Sequence, residues 1–490
     1  MLMSSKRILE ATAATLRTMS ARADLPADVV PDCEMMAYLI DQIALPDDER
    51  SKFDRYSSEY QILTNFEKNH SSVTSSKLLE QIKAILIRED QVIKTVEPVA
   101  NHLNFLSKAD QLIAGKIVEN QLDGKEYLEL AKQSCDWEKS FISNADDAGN
   151  AGVGSLTDEF SVDKVQLYFD AKFPGQGCLI KRVNILPGGY GKQTIMIEVE
   201  GGPYPGSFVI RRDMGIAVLT NDCHFVRREF PLLKSLFKIG FPVPEVLWLE
   251  QNSAILPGGD FIVTRKVEGR VEGDVLGTKG DIPEALINEL AKTVARLHQL
   301  PPLNDLGSQV ASVDAALWNE SITTCGRKYI ETFYNFYRNT ATIPQPALTA
   351  MFGWLINNIP ECDEPPALIH GDLGFHNFLV NDNKITCLLD WEFCHVGDPA
   401  EDIGFIKSSI GEKIDWQHFL DLYQSYGGRV IDPRRILFYQ VWTYLRNSVG
   451  CAITGYLFGT GDLNEVKLGV VPYRYIPIYI EKCLEYIESQ

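Results

Sequence analysis

The amino-acid sequence predicts an α+β protein in three parts: an all-helical N-terminal domain, a lobe built on an antiparallel sheet, and a helical lobe. Three observations carry this. Apolar residues recur at helical spacing through residues 1–145. Between about 160 and 265 the pattern changes to alternating, strand-like runs. From Ile282 onward it is helical again, except in one stretch, Ile369 to Phe405, which reads as loop, strand, turn and strand with acids at its ends.

The bulk properties narrow the class. A chain of 490 residues holds two or three domains, and 45% hydrophobic with 23% charged residues is a globular composition. The net charge of −19 argues against nucleic acid as a partner, which needs a basic face. The ten cysteines include no CxxC pair and read as reduced thiols of a cytoplasmic protein. No apolar run reaches transmembrane length, so no membrane is expected as a partner either. The N-terminus, interrupted by Arg7 and Arg17, lacks a continuous signal-peptide core.

Within residues 1–145, Ile8, Leu9, Ala13, Leu16 and Met19 make one stripe, and Lys77 to Leu106 a long one that Pro98 is expected to kink or end. Gln111 to Ile117 and Tyr127 to Ile142 supply two further helices. This region shows no catalytic constellation; it reads as an accessory domain and a candidate homodimer contact. The Gly- and Ala-rich stretch within 146–159 reads as a linker.

The first lobe is assigned to 160–268. Cys178 to Val183, Gln193 to Val199 and Ser207 to Arg211 are its first three strands. Between the first two lies Leu186-Pro-Gly188-Gly189-Tyr-Gly191-Lys192, whose glycines would let a hairpin close over phosphates with its backbone N–H groups. Taken alone this is equally a plain hairpin turn. It is not a Walker A sequence, since Gln193 follows Lys192. Alternation places Val209 and Arg211 on one face of the third strand, opposite Arg212. A helix starts near Phe225 and carries Glu229, and Phe261 to Gly269 is a further strand region. Helices follow across Leu286 to Leu300, Ala315 to Asn339, Gln345 to Asn358, Gln417 to Tyr426, Arg434 to Phe458 and Tyr473 to Ser489, completing a second lobe over 269–490.

The chemistry is concentrated in the hairpin at 369–405. Asp372 follows His370-Gly371, Asn377 comes five positions later, and the run Ile385 to Leu389 delivers Asp390. A phosphoryl group in transfer is heavily charged, and the hard Mg²⁺ ion that neutralises it takes carboxylate and amide oxygens. Asn377 and Asp390 are the candidate metal ligands. Asp372 can then stay off the metal and orient an acceptor hydroxyl, and His370 braces the loop.

H-G-D-x-x-x-x-N followed by L-L-D-W-E resembles the aminoglycoside phosphotransferase and choline kinase-like superfamily, nearest its acyl-CoA-dehydrogenase-associated members. The resemblance covers about 170–490. It implies a bilobal protein-kinase-like fold and a Mg²⁺-dependent transfer of the γ-phosphate of ATP (or GTP) to a hydroxyl of a small molecule. It implies Asp372 as the catalytic residue. It implies nucleotide contacts from Gly188, Gly189 and Gly191, from Arg211 paired with Glu229, and from backbone near Lys266 and Val267 at the hinge. Relatives usually carry Ser where Gly191 stands. Asp402 resembles a buried aspartate that holds the catalytic loop backbone, and His298 reads as structural. About a dozen residues separate Asp390 from Asp402, too few for the activation loop of a protein kinase. The other readings are an aminoglycoside or macrolide antibiotic as the acceptor, and a nucleotide-binding pseudokinase that recruits a partner through its N-terminal domain.

Overall fold

The structure is a computed structural model. It describes residues 98–119, 122–139, 160–186, 192–213, 223, 225–256, 258–273, 281–303, 313–341, 344–460, 462 and 466–489. The helices expected before Pro98 and the linker expected over 146–159 lie outside the described residues.

In chain order the elements begin with helices α1 (Pro98–Glu119), α2 (Gly124–Lys139) and α3 (Val162–Lys172). Strands β1 (Leu179–Leu186), β2 (Lys192–Glu200) and β3 (Gly206–Asp213) precede helix α4 (Val226–Lys238). Strands β4 (Val246–Glu250), β5 (Phe261–Arg265) and β6 (Arg270–Val271) follow it. Helices α5 (Glu284–His298), α6 (Ile322–Thr340) and α7 (Pro346–Asn357) lead to strands β7 (Ala367–Ile369), β8 (Phe378–Asn381), β9 (Lys384–Leu388) and β10 (His395–Gly397). Helices α8 (Pro399–Ile410), α9 (Trp416–Ser425), α10 (Pro433–Thr460) and α11 (Val466–Glu488) complete the chain.

Helix boundaries follow local chemistry. The described part of α1 begins at Pro98, and whether a helix ends or kinks there lies outside the described residues. The run then continues to Glu119, joining two segments that the sequence pattern separated. A reciprocal capping box starts α2, with Glu126 N–H donating to Asp123 Oδ1 and Asp123 N–H to Glu126 Oε2, both at 2.9 Å. The Ser161 hydroxyl caps α3 by accepting from Lys164 N–H.

By backbone contacts the chain divides into two units: 1–152 with 330–359 and 441–490, and 153–329 with 360–440. This differs from boundaries at 145–160 and 268, because α1 and α2 pack on α7, which the sequence places in the second lobe. In the first unit, Gly353 of α7 lies against the Tyr127 ring of α2, where a Cβ would come within 2.3 Å. Asp110 of α1 accepts hydrogen bonds from Arg338 and from the Thr349 hydroxyl.

The second unit contains the antiparallel sheet, in the order β1-β2-β3-β5-β4. One face is apolar: Ile195, Ile197, Phe208, Ile210 and Val263 pack against Phe160, Val165, Tyr168 and Phe169 on and beside α3. That helix covers the sheet where the sequence reading expected only strands. Its spacing, Val165 with Tyr168 and Phe169, is the helical signal. Arg212 belongs to this face and lies over the Phe160 ring, 4.7 Å from its centroid. The opposite face carries Lys192 and Arg211 toward Glu229 of α4.

In the helical lobe, β8 and β9 form the expected hairpin, with β6 pairing alongside β8, and β7 pairs with β10. The hairpin turn, Asp382-Asn383, has both residues at positive φ, as a two-residue type I′ turn requires. Among the described residues no cysteine forms a disulfide, and no helix is long and apolar enough to cross a membrane.

Candidate active site

The loop between β7 and β8 is held from below by one carboxylate. Asp402 of α8 accepts the N–H of His370 at 2.9 Å and of Gly371 at 2.8 Å. Its Oδ2 also lies 3.1 Å from His298 Nε2, and His298 Nδ1 lies 2.8 Å from the Tyr423 hydroxyl. Burial alone would raise the Asp402 carboxyl, but the His298 contact and the hydrogen bonds hold it below the ordinary range. Gly371 sits at φ +83°, a turn that a side chain would strain.

His370 is fully buried, and burial lowers its pKa, so its ring is neutral. Nε2 donates to the Leu389 carbonyl at 2.9 Å, which leaves Nδ1 to accept from Asp372 N–H at 3.2 Å. One histidine therefore ties the loop to the end of β9. Leu389 N–H in turn donates to the Asn377 carbonyl at 2.8 Å, so Asn377 and Asp390 leave the hairpin side by side. The Asn377 amide nitrogen donates to the Asp372 backbone carbonyl at 3.0 Å and to Asp372 Oδ2 at 2.9 Å, which turns its oxygen outward.

Asp390 adopts a left-handed backbone conformation, φ +60°, uncommon for a residue with a side chain. It meets the sheet lobe directly: Arg211 Nη2 donates to Asp390 Oδ1. Burial would raise Asp390, but the guanidinium, with Lys192 behind it, overcomes this and holds it low. Glu392, two residues on, is pushed the other way, to about 7, by burial and by the charge of Asp390. Lys192 bridges Glu392 and Glu229, with Glu229 Oε1 3.0 Å from its ammonium.

The structure thus brings together Arg211, Glu229 and Asp390 on one side, and Asp372 and Asn377 on the loop beside them. Arg211 faces this site and Arg212 faces the apolar core, the register that alternation gave. Gly188, Gly189 and Gly191 lie outside the described residues. At the hinge, Lys266 N–H donates to the Ser207 carbonyl at 3.0 Å and its ammonium pairs with Glu268 at 3.1 Å. Val267, the next residue, is half-buried.

Three polar groups of the site were not singled out by residue type. Lys192 was read as the end of the glycine stretch, although alternation places it on the face of Thr194, which is paired with Arg211. Glu392 was visible as the last letter of L-L-D-W-E. His376 Nε2 lies 3.4 Å from Asp372 Oδ2, and its ring folds over Gly374, where a Cβ would meet it at 2.3 Å.

Sequence comparison decides the family. A model of the phosphotransferase enzyme family matches residues 182–439, just over half of the chain. The chain belongs to this family. It is also similar to acyl-CoA dehydrogenase family member 11 of Rattus norvegicus, 26% identical over 256 residues, 51% of this chain and 31% of that one. The Gallus gallus protein of the same name is 30% identical over 236 residues, 48% of this chain and 28% of that one. The chain therefore matches under a third of the length of these curated relatives. Among solved structures, a macrolide 2′-phosphotransferase from Brachybacterium faecium aligns with a TM-score of 0.42 at 19% identity, over 63% of this chain and 97% of that one.

For a phosphotransferase the donor set fits a hard divalent cation. Oxygens of Glu229, Asp390 and Glu392 lie within 4.8 Å of one another, and the Asn377 amide offers oxygen only. No sulfur or imidazole belongs to the set.

Proposed function

We propose that this chain is a small-molecule kinase that transfers the γ-phosphoryl group of ATP (or GTP) to a hydroxyl of a small molecule. The observation that carries this reading is the meeting of two charged layers. A buried cation–carboxylate group on the sheet face stands against a rigid acid–amide–acid loop, Asp372, Asn377 and Asp390.

Each residue then has a task. Arg211 offers a guanidinium fork to phosphate oxygens. Asp390 and Asn377 hold Mg²⁺, with Glu392 beside them. When bound, the ion neutralises charge on the transferring phosphoryl group. Asp372, fixed by Asn377 through its side chain and its carbonyl, accepts the proton of the acceptor hydroxyl. The new bond runs from that oxygen to phosphorus as the bond to the departing nucleoside diphosphate breaks. His370 stays neutral and moves no proton in this scheme, since both of its nitrogens are engaged in bracing the loop.

The test is nucleotide turnover with Mg²⁺ and ATP or GTP over a panel of alcohols: aminoglycosides, a macrolide, choline-like amines and hydroxyacyl compounds. Acceptor-dependent release of nucleoside diphosphate, with phosphate found on the acceptor, is the expected result. Nucleotide binding with no transfer to any of them favours the pseudokinase reading.

A further inference from the structure

Two cations reach the acids of this site. A helix carboxylate such as Glu229 is the expected partner of the strand cation, here Arg211. The structure keeps that ion pair and adds a second, closer cation. Glu229 Oε1 lies 3.0 Å from Lys192 Nζ and 3.7 Å from Arg211 Nε, and neither Glu229 Oε1 nor Arg211 Nε makes a hydrogen bond, so distance alone separates the two pairings. The hydrogen bonds go elsewhere: Lys192 donates to Glu392, and Arg211 Nη2 to Asp390.

Lys192 stands at the start of β2, opposite Asp213 of β3, with its side chain only 4% exposed. Glu229 approaches its ammonium from α4 and Glu392 from the hairpin of the other lobe. An ammonium so deeply buried is strongly unfavourable unless carboxylates flank it. Here two do, and they come from elements far apart in sequence.

We propose that Lys192 is the positioning cation of the nucleotide site. It holds Glu229 more closely than Arg211 does and fixes Glu392 beside Asp390, which leaves Arg211 able to exchange Asp390 for a nucleotide phosphate. This rests on the phosphotransfer reading above but concerns binding. The head groups suit the two roles. An ammonium is a compact point charge that can sit between two carboxylates, whereas a guanidinium fork matches either a carboxylate or a phosphate. Without the Lys192 charge, Glu229, Glu392 and Asp390 would share Arg211 alone. Arg211 would then be held by carboxylates when a phosphate arrives.

The test uses the full chain and two double-mutant cycles, Lys192→Met with Glu229→Gln and Arg211→Met with Glu229→Gln. Each is read by denaturant stability without ligand and by calorimetric titration with Mg·ADP and Mg·GDP. Both cycles should be non-additive in stability, the Lys192–Glu229 cycle more so than the Arg211–Glu229 cycle. Lys192→Met should weaken nucleotide binding by about tenfold or more although Arg211 is intact, and Lys192→Arg should recover part of it. A merely structural lysine would lower stability and leave the affinity of the folded variant unchanged, and that result overturns the proposal. So does a larger coupling in the Arg211 cycle. Should Lys192→Met not fold, the structure of the unaltered chain with bound ADP decides. Lys192 on Glu229 with Arg211 on a phosphate oxygen supports the assignment, and the reverse overturns it. A chain that binds neither nucleotide defeats the phosphotransfer reading, and the stability cycles then decide alone which cation holds Glu229.

Discussion

Asp402 receives the backbone N–H groups of both His370 and Gly371, at 2.9 and 2.8 Å, and so a single carboxylate on α8 sets the height and direction of the loop that carries Asp372. Its third contact, to His298, links the same carboxylate to α5. The Asp372 carboxylate itself contacts His376 and Asn377, not these partners, yet they set where Asp372 stands, His370 through the Asp372 backbone N–H.

Replacing Asp402 by Ala should therefore be costly twice. Two buried N–H groups and a buried histidine lose their acceptor, which should lower stability by roughly 3–5 kcal/mol. Turnover should fall as well, because the loop is no longer held. Asp402→Asn, which keeps one acceptor oxygen, should cost less. Urea denaturation compares the two, and equal stability of the Ala variant and the unaltered chain would contradict the description of this loop.

Asp372→Ala should reduce transfer by about 10²–10⁴-fold, the range for a lost general base, while Mg·ADP affinity changes little. The reason is that the Asp372 carboxylate contacts Asn377 and His376, whereas Arg211 and Lys192 pair with Asp390, Glu229 and Glu392. A parallel loss of affinity and turnover in a folded variant would place Asp372 on the metal instead.

Asp390→Ala should abolish Mg²⁺-dependent nucleotide binding, and Asn377→Ala should weaken it less, since an amide contributes no net charge. Arg211→Ala should raise the nucleotide KM. Titrations with and without Mg²⁺ separate these effects, and unchanged Mg·ADP affinity in the Asp390 variant would remove that residue from the metal site.

Stability should also depend on pH through Asp213. Burial lifts its carboxyl to about 6, against 3.8 unperturbed, while the Val226 N–H and Lys192 pull it back down. The folded chain then binds more protons than the unfolded chain between those two values, so this group's contribution falls as pH rises through that window and levels off above about 6. Asp213→Asn, which keeps an acceptor for Val226 N–H, should flatten this part of the stability profile. An unaltered slope would show that the carboxyl titrates normally.

Gly353→Ala tests the first unit alone. The added methyl would stand 2.3 Å from the Tyr127 ring, so the ring or the two helices must shift, at a cost of about 1–3 kcal/mol. A neutral substitution would mean that these helices have room to spare.

Much of the site was legible because its signals are local. Strand alternation fixes which way Arg211 and Arg212 point within a few residues, and the spacing from Asp372 to Asn377 and on to Asp390 fits one loop and one hairpin. What escaped was set by pairing across distance. Lys192 next to three glycines looks like loop chemistry; its burial depends on Glu229 and Glu392, which no short window contains. The grouping of α1 and α2 with α7 rests on contacts such as Asp110 with Arg338 and Thr349, more than two hundred residues apart. Helix α3 was overlooked because its stripe is short, although Ser161 and the Val165, Tyr168, Phe169 spacing announce it.

Between Asp390 and Asp402 every residue is already placed. Trp391 to Phe393 form one turn of 3₁₀ helix, His395 to Gly397 pair with β7, and Asp398 caps α8 while it grips Arg435. No slack remains for a segment to swing out, be modified and swing back. For the proposed phosphotransfer, this hairpin would offer no movable segment on which control could act, and a brake would have to work from another part of the chain.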